Sequence, residues 1–275
     1  MMDKKNNHFI PKCLLKRWIT SNDNYCGVNV LNIKSKSIDF SYSRGYKAFS
    51  FASSDNLYVL TKENDRLLNL ENWFNGLENS LSIFIDKVSK NDSYLFKNIG
   101  HLNKLIMGLV SFEYRSRYFF EKGIEFLESN PNIKSSFNGK NSFQIILENV
   151  VNATTYNTNQ LFPVEFTIYQ SDIPILICDR PLMFKVLDEH SFLPLTPNLI
   201  LSFNKTSNQP MIRYLKADEK FVNIFNKMIV GNAREWIVST DRNVLEDLIS
   251  IKDFGQYNDT LIFDRLTTMF KGYEY

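Results

Sequence analysis

Residues 66–90 read RLLNLENWFNGLENSLSIFIDKVSK, and their apolar members Leu70, Phe74, Leu77, Leu81, Phe84 and Val88 recur at alternating spacings of four and three. This is the stripe of an amphipathic helix, because 3.6 residues per turn brings those positions back to one face. Two more helices are expected downstream, from about Gly100 to Glu128 and from about Ser142 to Thr155. The character then changes. From Pro163 to Phe203, β-branched and aromatic runs are broken by Pro174, Pro181, Pro194 and Pro197, which predicts strands and turns. Upstream, Tyr25 to Phe40 alternates about Lys34-Ser35-Lys36-Ser37 as a β-hairpin does, and Pro11 suits the first position of a short helix through Leu14, Leu15 and Trp18. A short strand is expected at Leu57 to Leu60, a helix over about Asp218 to Gly231, a strand at Trp236 to Ser239 and a short helix near Val244 to Ile251. The fold class this implies is α+β: a central helical region packed with a mixed or antiparallel sheet formed by the N- and C-terminal parts.

The 275 residues are 44% hydrophobic and 14% aromatic, enough apolar surface for a large core. One domain is expected over 1–275, with the N-terminal helix and hairpin in 8–60, the helical region in 66–158 and the strand-rich part in 163–275. The net charge of +2 is spread among nearly equal numbers of acids and bases, so no general attraction to nucleic acid or an anionic membrane follows. Cys13, Cys26 and Cys178 are an odd number at wide spacing, which argues against a disulfide framework or a structural zinc site. No run reaches the roughly 18 apolar residues of a membrane span. The N-terminus also lacks the apolar stretch of a signal peptide, so a cytoplasmic protein is the expectation.

Candidate site residues are polar groups at positions where periodicity predicts core. Projected as one continuous helix, residues 100–128 place Glu113 in the middle of the apolar stripe and Arg117 at its edge. Both should then be buried and close together, as an i,i+4 ion pair or as site residues. Asn232 continues the apolar face of Phe221, Phe225 and Met228, where it is either a helix cap or a ligand contact. Asp179 follows the buried-type strand Pro174 to Cys178 and precedes Arg180-Pro181; a strand exit is a place for a metal or substrate contact, or simply for a turn. His8 is one of only three histidines and would stand just outside a helix N-terminus, where its neutral form suits a base or ligand. Glu71 and Glu78, two helical turns apart, flank the buried face of their helix as a solvated edge or a carboxylate pair.

His8-Phe9-Ile10-Pro11 with Leu15 and Trp18 resembles the opening motif of the bacterial domain-of-unknown-function family 4238. Further segments resemble the same family in order: Phe51 to Tyr58, Leu70 to Leu81 with Glu78 as its acidic residue, Ser111 to Arg117, Cys178-Asp179-Arg180-Pro181, Phe192 to Pro197, and Asn226 to Ser239. Lys12 stands where the family usually has glutamine. The family's Gln-x-x-Arg element falls either with Arg115 as its arginine and Phe112 at the glutamine, or in the register of Glu113 and Arg117. The resemblance implies a bacterial intracellular protein and brings no catalytic assignment with it.

Two functions fit these residue types. One is a hydrolase of phosphodiesters in nucleic acid or nucleotides, serving as a toxin or defence effector. In it His8 is base or ligand, Glu78, Glu113 and Asp179 are acids or ligands of Mg²⁺ or Mn²⁺, and Arg117, Asn232 and Arg234 hold the substrate. The other is a module that binds a ligand or a protein and breaks no bond.

Overall fold

The computed structural model describes residues 6–22, 25–45, 48–55, 58–61, 67–92, 99–187, 189–250, 254 and 259–271. Its helices are α1 (Lys12–Leu15), α2 (Glu71–Val88), α3 (Ile99–Ser111), α4 (Arg117–Ser129), α5 (Pro131–Ser135), α6 (Ser142–Leu161), α7 (Glu219–Asn232), α8 (Arg242–Leu248) and α9 (Asp259–Phe270). The starts of α4, α6, α7 and α8 are fixed by side chains that take up free amides. Asn141 and Gln144 form a reciprocal capping box ahead of α6, and Asp218 Oδ1 accepts from Phe221 N at 2.7 Å ahead of α7.

Two small pairings, β1 (Asn6–His8) with β5 (Ser53–Asp55) and β6 (Val59–Thr61) with β7 (Leu67–Asn69), accompany two five-stranded sheets. One large sheet joins strands from the N- and C-terminal parts. It runs β2 (Thr20–Asn22), β3 (Tyr25–Asn32), β14 (Trp236–Ser239), β9 (Ile177–Cys178), with β4 (Ser37–Tyr42) on the other side of β3, all antiparallel. The other is mixed, in the order β10 (Met183–Leu187), β11 (His190–Thr196), β12 (Leu199–Lys205), β8 (Val164–Gln170), β13 (Met211–Lys216), with only β13 parallel to its neighbour. The chain is therefore α+β, with two large sheets where one was expected. Helices α2, α3, α4 and α6 share one core with β8 and β12, whereas α7 and α8 pack on Leu31, Cys178 and Ile237 from the other large sheet. Trp18 ties the N-terminal turn to the later strands, its Nε1 donating to Ile175 O at 2.8 Å.

The expected helix from Gly100 to Glu128 is two helices. After Val110 the backbone tightens, with Glu113 N and Tyr114 N donating three residues back to Val110 O and Ser111 O. Ser116 then adopts an extended conformation and caps α4, its hydroxyl accepting from Phe119 N at 3.1 Å. The break turns Tyr114, Arg115 and Ser116 inward, all buried, and resets the helical phase. Leu57 lies outside the described residues, and the strand expected there is Val59–Thr61. Helix α9 was not foreseen; Ile262, Leu266 and Phe270 bury its inner face, and Phe270 stacks on Phe126 of α4 at 5.9 Å.

Candidate functional site

The break between α3 and α4 sends Arg115 and Arg117 to different parts of the segment His8-Phe9. Arg115 points inward and is 2% exposed. Its Nη2 donates to Glu78 Oε1 at 2.6 Å and to His8 O at 3.2 Å, and its guanidinium lies 4.2 Å from the centre of the Phe74 ring. Around this pair, Asn7 Nδ2 donates to Glu71 Oε2 at 2.8 Å, Asn7 Oδ1 accepts from Tyr58 N, and Tyr58 Oη donates to Arg115 O. The two acids that flank the face of α2 thus serve one centre, which ties the N-terminal strand to α2 and to the break. His8 is a buried residue of β1, opposite Ser53, in the segment that leads into α1. Burial first, then the Glu78 charge, push the neighbouring Cys13 thiol up to about 11, which disfavours its thiolate form.

Arg117 points outward. It is 44% exposed, 3.4 Å from Glu235 Oε1 and stacked 5.4 Å over Phe9. It is therefore not buried with Glu113, because the phase reset removes the i,i+4 relation within one helix on which that pairing depended. Glu113 is 12% exposed and faces Arg265 of α9 at 3.5 Å. Burial raises its carboxyl above the usual range, and the charges of Arg265 and Arg180 pull it back.

Next to Glu113 the loops after β9 and α7 lock together. Asp179 Oδ1 accepts from the backbone amides of Arg234, Glu235 and Trp236 at 2.9, 3.1 and 3.3 Å. In return Asn232 Nδ2 donates to Arg180 O. Asn232 is not a left-handed cap, since no positive φ occurs there and its amide reaches across to the other loop. Burial raises the Asp179 carboxyl, opposed by the three amides and by Arg180. This latch presents two guanidinium groups to one ring: Arg234 stands 4.7 Å and Arg180 5.2 Å from the centre of Tyr118, in the first turn of α4. Arg180 Nη1 is buried and has no hydrogen-bond acceptor among the described residues.

Of the residues predicted from sequence, His8 and Glu78 belong to the Arg115 centre, Asp179 and Asn232 form the latch that holds Arg234 on Tyr118, Glu113 faces Arg265, and Arg117 stands apart on Phe9 and Glu235. Glu78, Glu113 and Asp179 do not form a shared ligand set, because each is engaged by different donors. Among the described residues no three His, Cys, Asp or Glu side chains stand together as metal ligands would. Arg115, Arg180 and Arg265 were missed as site members. Arg115 was visible as one register of the arginine element, and Arg180 as the neighbour of Asp179. Arg265 precedes Leu266 in a run of apolar residues four apart, a pattern present in the sequence but unread.

Linkage gives Glu113 a measurable signature. A carboxyl whose folded value lies above its unfolded one contributes stability below the unfolded value of about 4.5 that is lost as pH rises through the folded value. The melting temperature of the wild type relative to Glu113→Gln is therefore expected to fall as pH is raised from 4 toward neutrality. A difference that grows with pH instead means that Arg265 and Arg180 outweigh burial.

No curated protein and no solved structure gives a significant match to the chain. A family model described as protein of unknown function matches residues 6–243, a span that holds both centres except for Arg265, and the chain thus belongs to the DUF4238 family.

Proposed function

We propose that the chain binds a phosphate-bearing ligand, of the kind a nucleotide or nucleic acid supplies, at the first turn of α4. The carrying observation is the pair Arg180 and Arg234, held on Tyr118 by a latch of two loops, with Arg180 Nη1 lacking an acceptor among the described residues. Arg117 and Arg265 face Glu235 and Glu113, and Asp179 is occupied by backbone amides, which leaves Arg180 Nη1 without an acceptor among the described residues. A fixed, desolvated guanidinium donor beside a helix N-terminus favours an oxyanion, and guanidinium forks suit phosphate in particular.

If the ligand is hydrolysed, Glu113 is the candidate general acid, since burial raises its carboxyl above the usual range beside the arginine cluster. In that reaction water adds to phosphorus, the ester P–O bond breaks, the leaving oxygen takes the Glu113 proton, and the surplus proton of the water returns through solvent. Calorimetric titration with inorganic phosphate and with a mononucleotide tests the binding. Arg180→Met is expected to weaken it by about tenfold or more, the scale of one charge-assisted hydrogen bond. Equal affinity in the variant and the wild type rejects the assignment. Loss of phosphodiesterase turnover in Glu113→Gln with retained binding separates an enzyme from a binding module.

A further inference from the structure

Beside Glu113 the structure has a cavity of about 320 Å³ between α6 and α9, floored by Tyr114 and bordered by Arg265. Its α6 wall is Asn149, Asn152, Tyr156 and Asn157, which the 3.6-residue period places on one face. A face turned toward a neighbouring helix is normally apolar, and amides buried there cost free energy unless they are bonded. Here Asn149 is buried, and its Nδ2 is bonded to Ile145 O at 2.8 Å. Asn157 Nδ2 donates to Ala153 O and, at 2.6 Å, to Tyr114 Oη, so the Tyr114 hydroxyl acts as an acceptor and its own proton remains available as a donor.

We infer that this cavity is a nucleobase pocket and that the phosphate-bearing ligand is a mononucleoside derivative; the second clause rests on the phosphate reading above. The exposed amide of Asn152 carries a donor and an acceptor side by side, the pairing presented by the edge of a base, and asparagine reads bases in this way, while the Nδ2 groups of Asn149 and Asn157 are engaged within the fold. The ring of Tyr156, 56% exposed, offers a stacking face for the flat heterocycle. The volume lies at the small end of the roughly 300–1,000 Å³ range of ligand pockets, which suits one nucleoside and not a strand. Arg265 borders the pocket and also faces Glu113, so it joins the pocket to the arginine cluster. The α9 wall lies beyond residues 6–243, so choice of base is set in part outside the span that the family model matches.

The test is calorimetric titration of the full chain with adenosine, guanosine, cytidine and uridine, with their 5′-monophosphates, and with inorganic phosphate. At least one nucleoside is expected to bind saturably, and its monophosphate more tightly. Asn152 is exposed and can be changed without disturbing the core. Asn152→Leu and Tyr156→Ala should each weaken the nucleoside by about tenfold or more, the scale of a lost base contact, while sparing inorganic phosphate. If no nucleoside binds and monophosphates bind no better than inorganic phosphate, the pocket assignment is overturned and the phosphate reading stands. If nucleosides bind but the phosphate adds nothing, the pocket stands and the phosphate reading falls. Binding of nucleosides that neither variant weakens also overturns the pocket.

Discussion

Arg115→Ala is expected to destabilise the fold by about 3–5 kcal/mol, the cost of removing one partner from a buried ion pair. At roughly 2–4 °C per kcal/mol for a chain of this size, the melting temperature should fall by on the order of 10 °C. The loss is not confined to Glu78. Arg115 Nη2 also holds the carbonyl of His8, its guanidinium covers Phe74, and removing it leaves the Glu78 carboxylate against an aromatic wall. Glu78→Leu combined with Arg115→Met should recover much of the lost stability, since a buried pair replaced by apolar groups of similar volume is often neutral. A near-normal melting temperature for Arg115→Ala refutes the structural role and makes the Glu78 centre a second site candidate.

How far the sequence could be read depended on whether the controlling interaction was local. The stripe from Leu70 to Val88 is a property of neighbouring turns, and it survives intact as the inner face of α2. The joining of N- and C-terminal strands was legible because the hairpin after Tyr25 and the run Trp236 to Ser239 each look half-buried on their own. The break at Phe112 to Ser116 was not. Phe112 and Tyr114 keep the region apolar, so a projection at 100° per residue carries on past a point where the phase has changed. Its local sign is the serine cap at Ser116, one hydrogen bond that a serine within a helix would mimic in composition. The partner of Glu113 was assigned to Arg117 for that reason, while the true partner lies on α9, whose pattern was left unread. Asp179 was recognised at the exit of a strand, but its acceptor role depends on amides more than fifty residues away, and no spacing rule encodes that.

Asp179→Ala and Asp179→Asn should behave very differently, and the contrast decides what the residue is for. Alanine strands the amides of Arg234, Glu235 and Trp236, which share one acceptor oxygen in a buried turn. A buried donor left without a partner costs about 1–3 kcal/mol, so losses from three, partly relieved by solvent reaching the half-buried Arg234 and Glu235, should total about 3 kcal/mol. The melting temperature should drop by roughly 6–12 °C. The same change frees the loop that carries Arg234, so phosphate affinity should fall by about tenfold or more as a fixed donor becomes mobile. Asparagine keeps an oxygen in the Oδ1 position and can still accept from the three amides, more weakly because the charge is gone. It should therefore cost only about 1 kcal/mol and leave phosphate affinity within a few-fold. A metal ligand or catalytic acid would give the opposite order of effects: asparagine would preserve the fold and abolish turnover, and alanine would add little to that loss. Circular dichroism melts of both variants, paired with phosphate titrations, distinguish a latch that positions two arginines from a carboxylate that acts on the ligand itself.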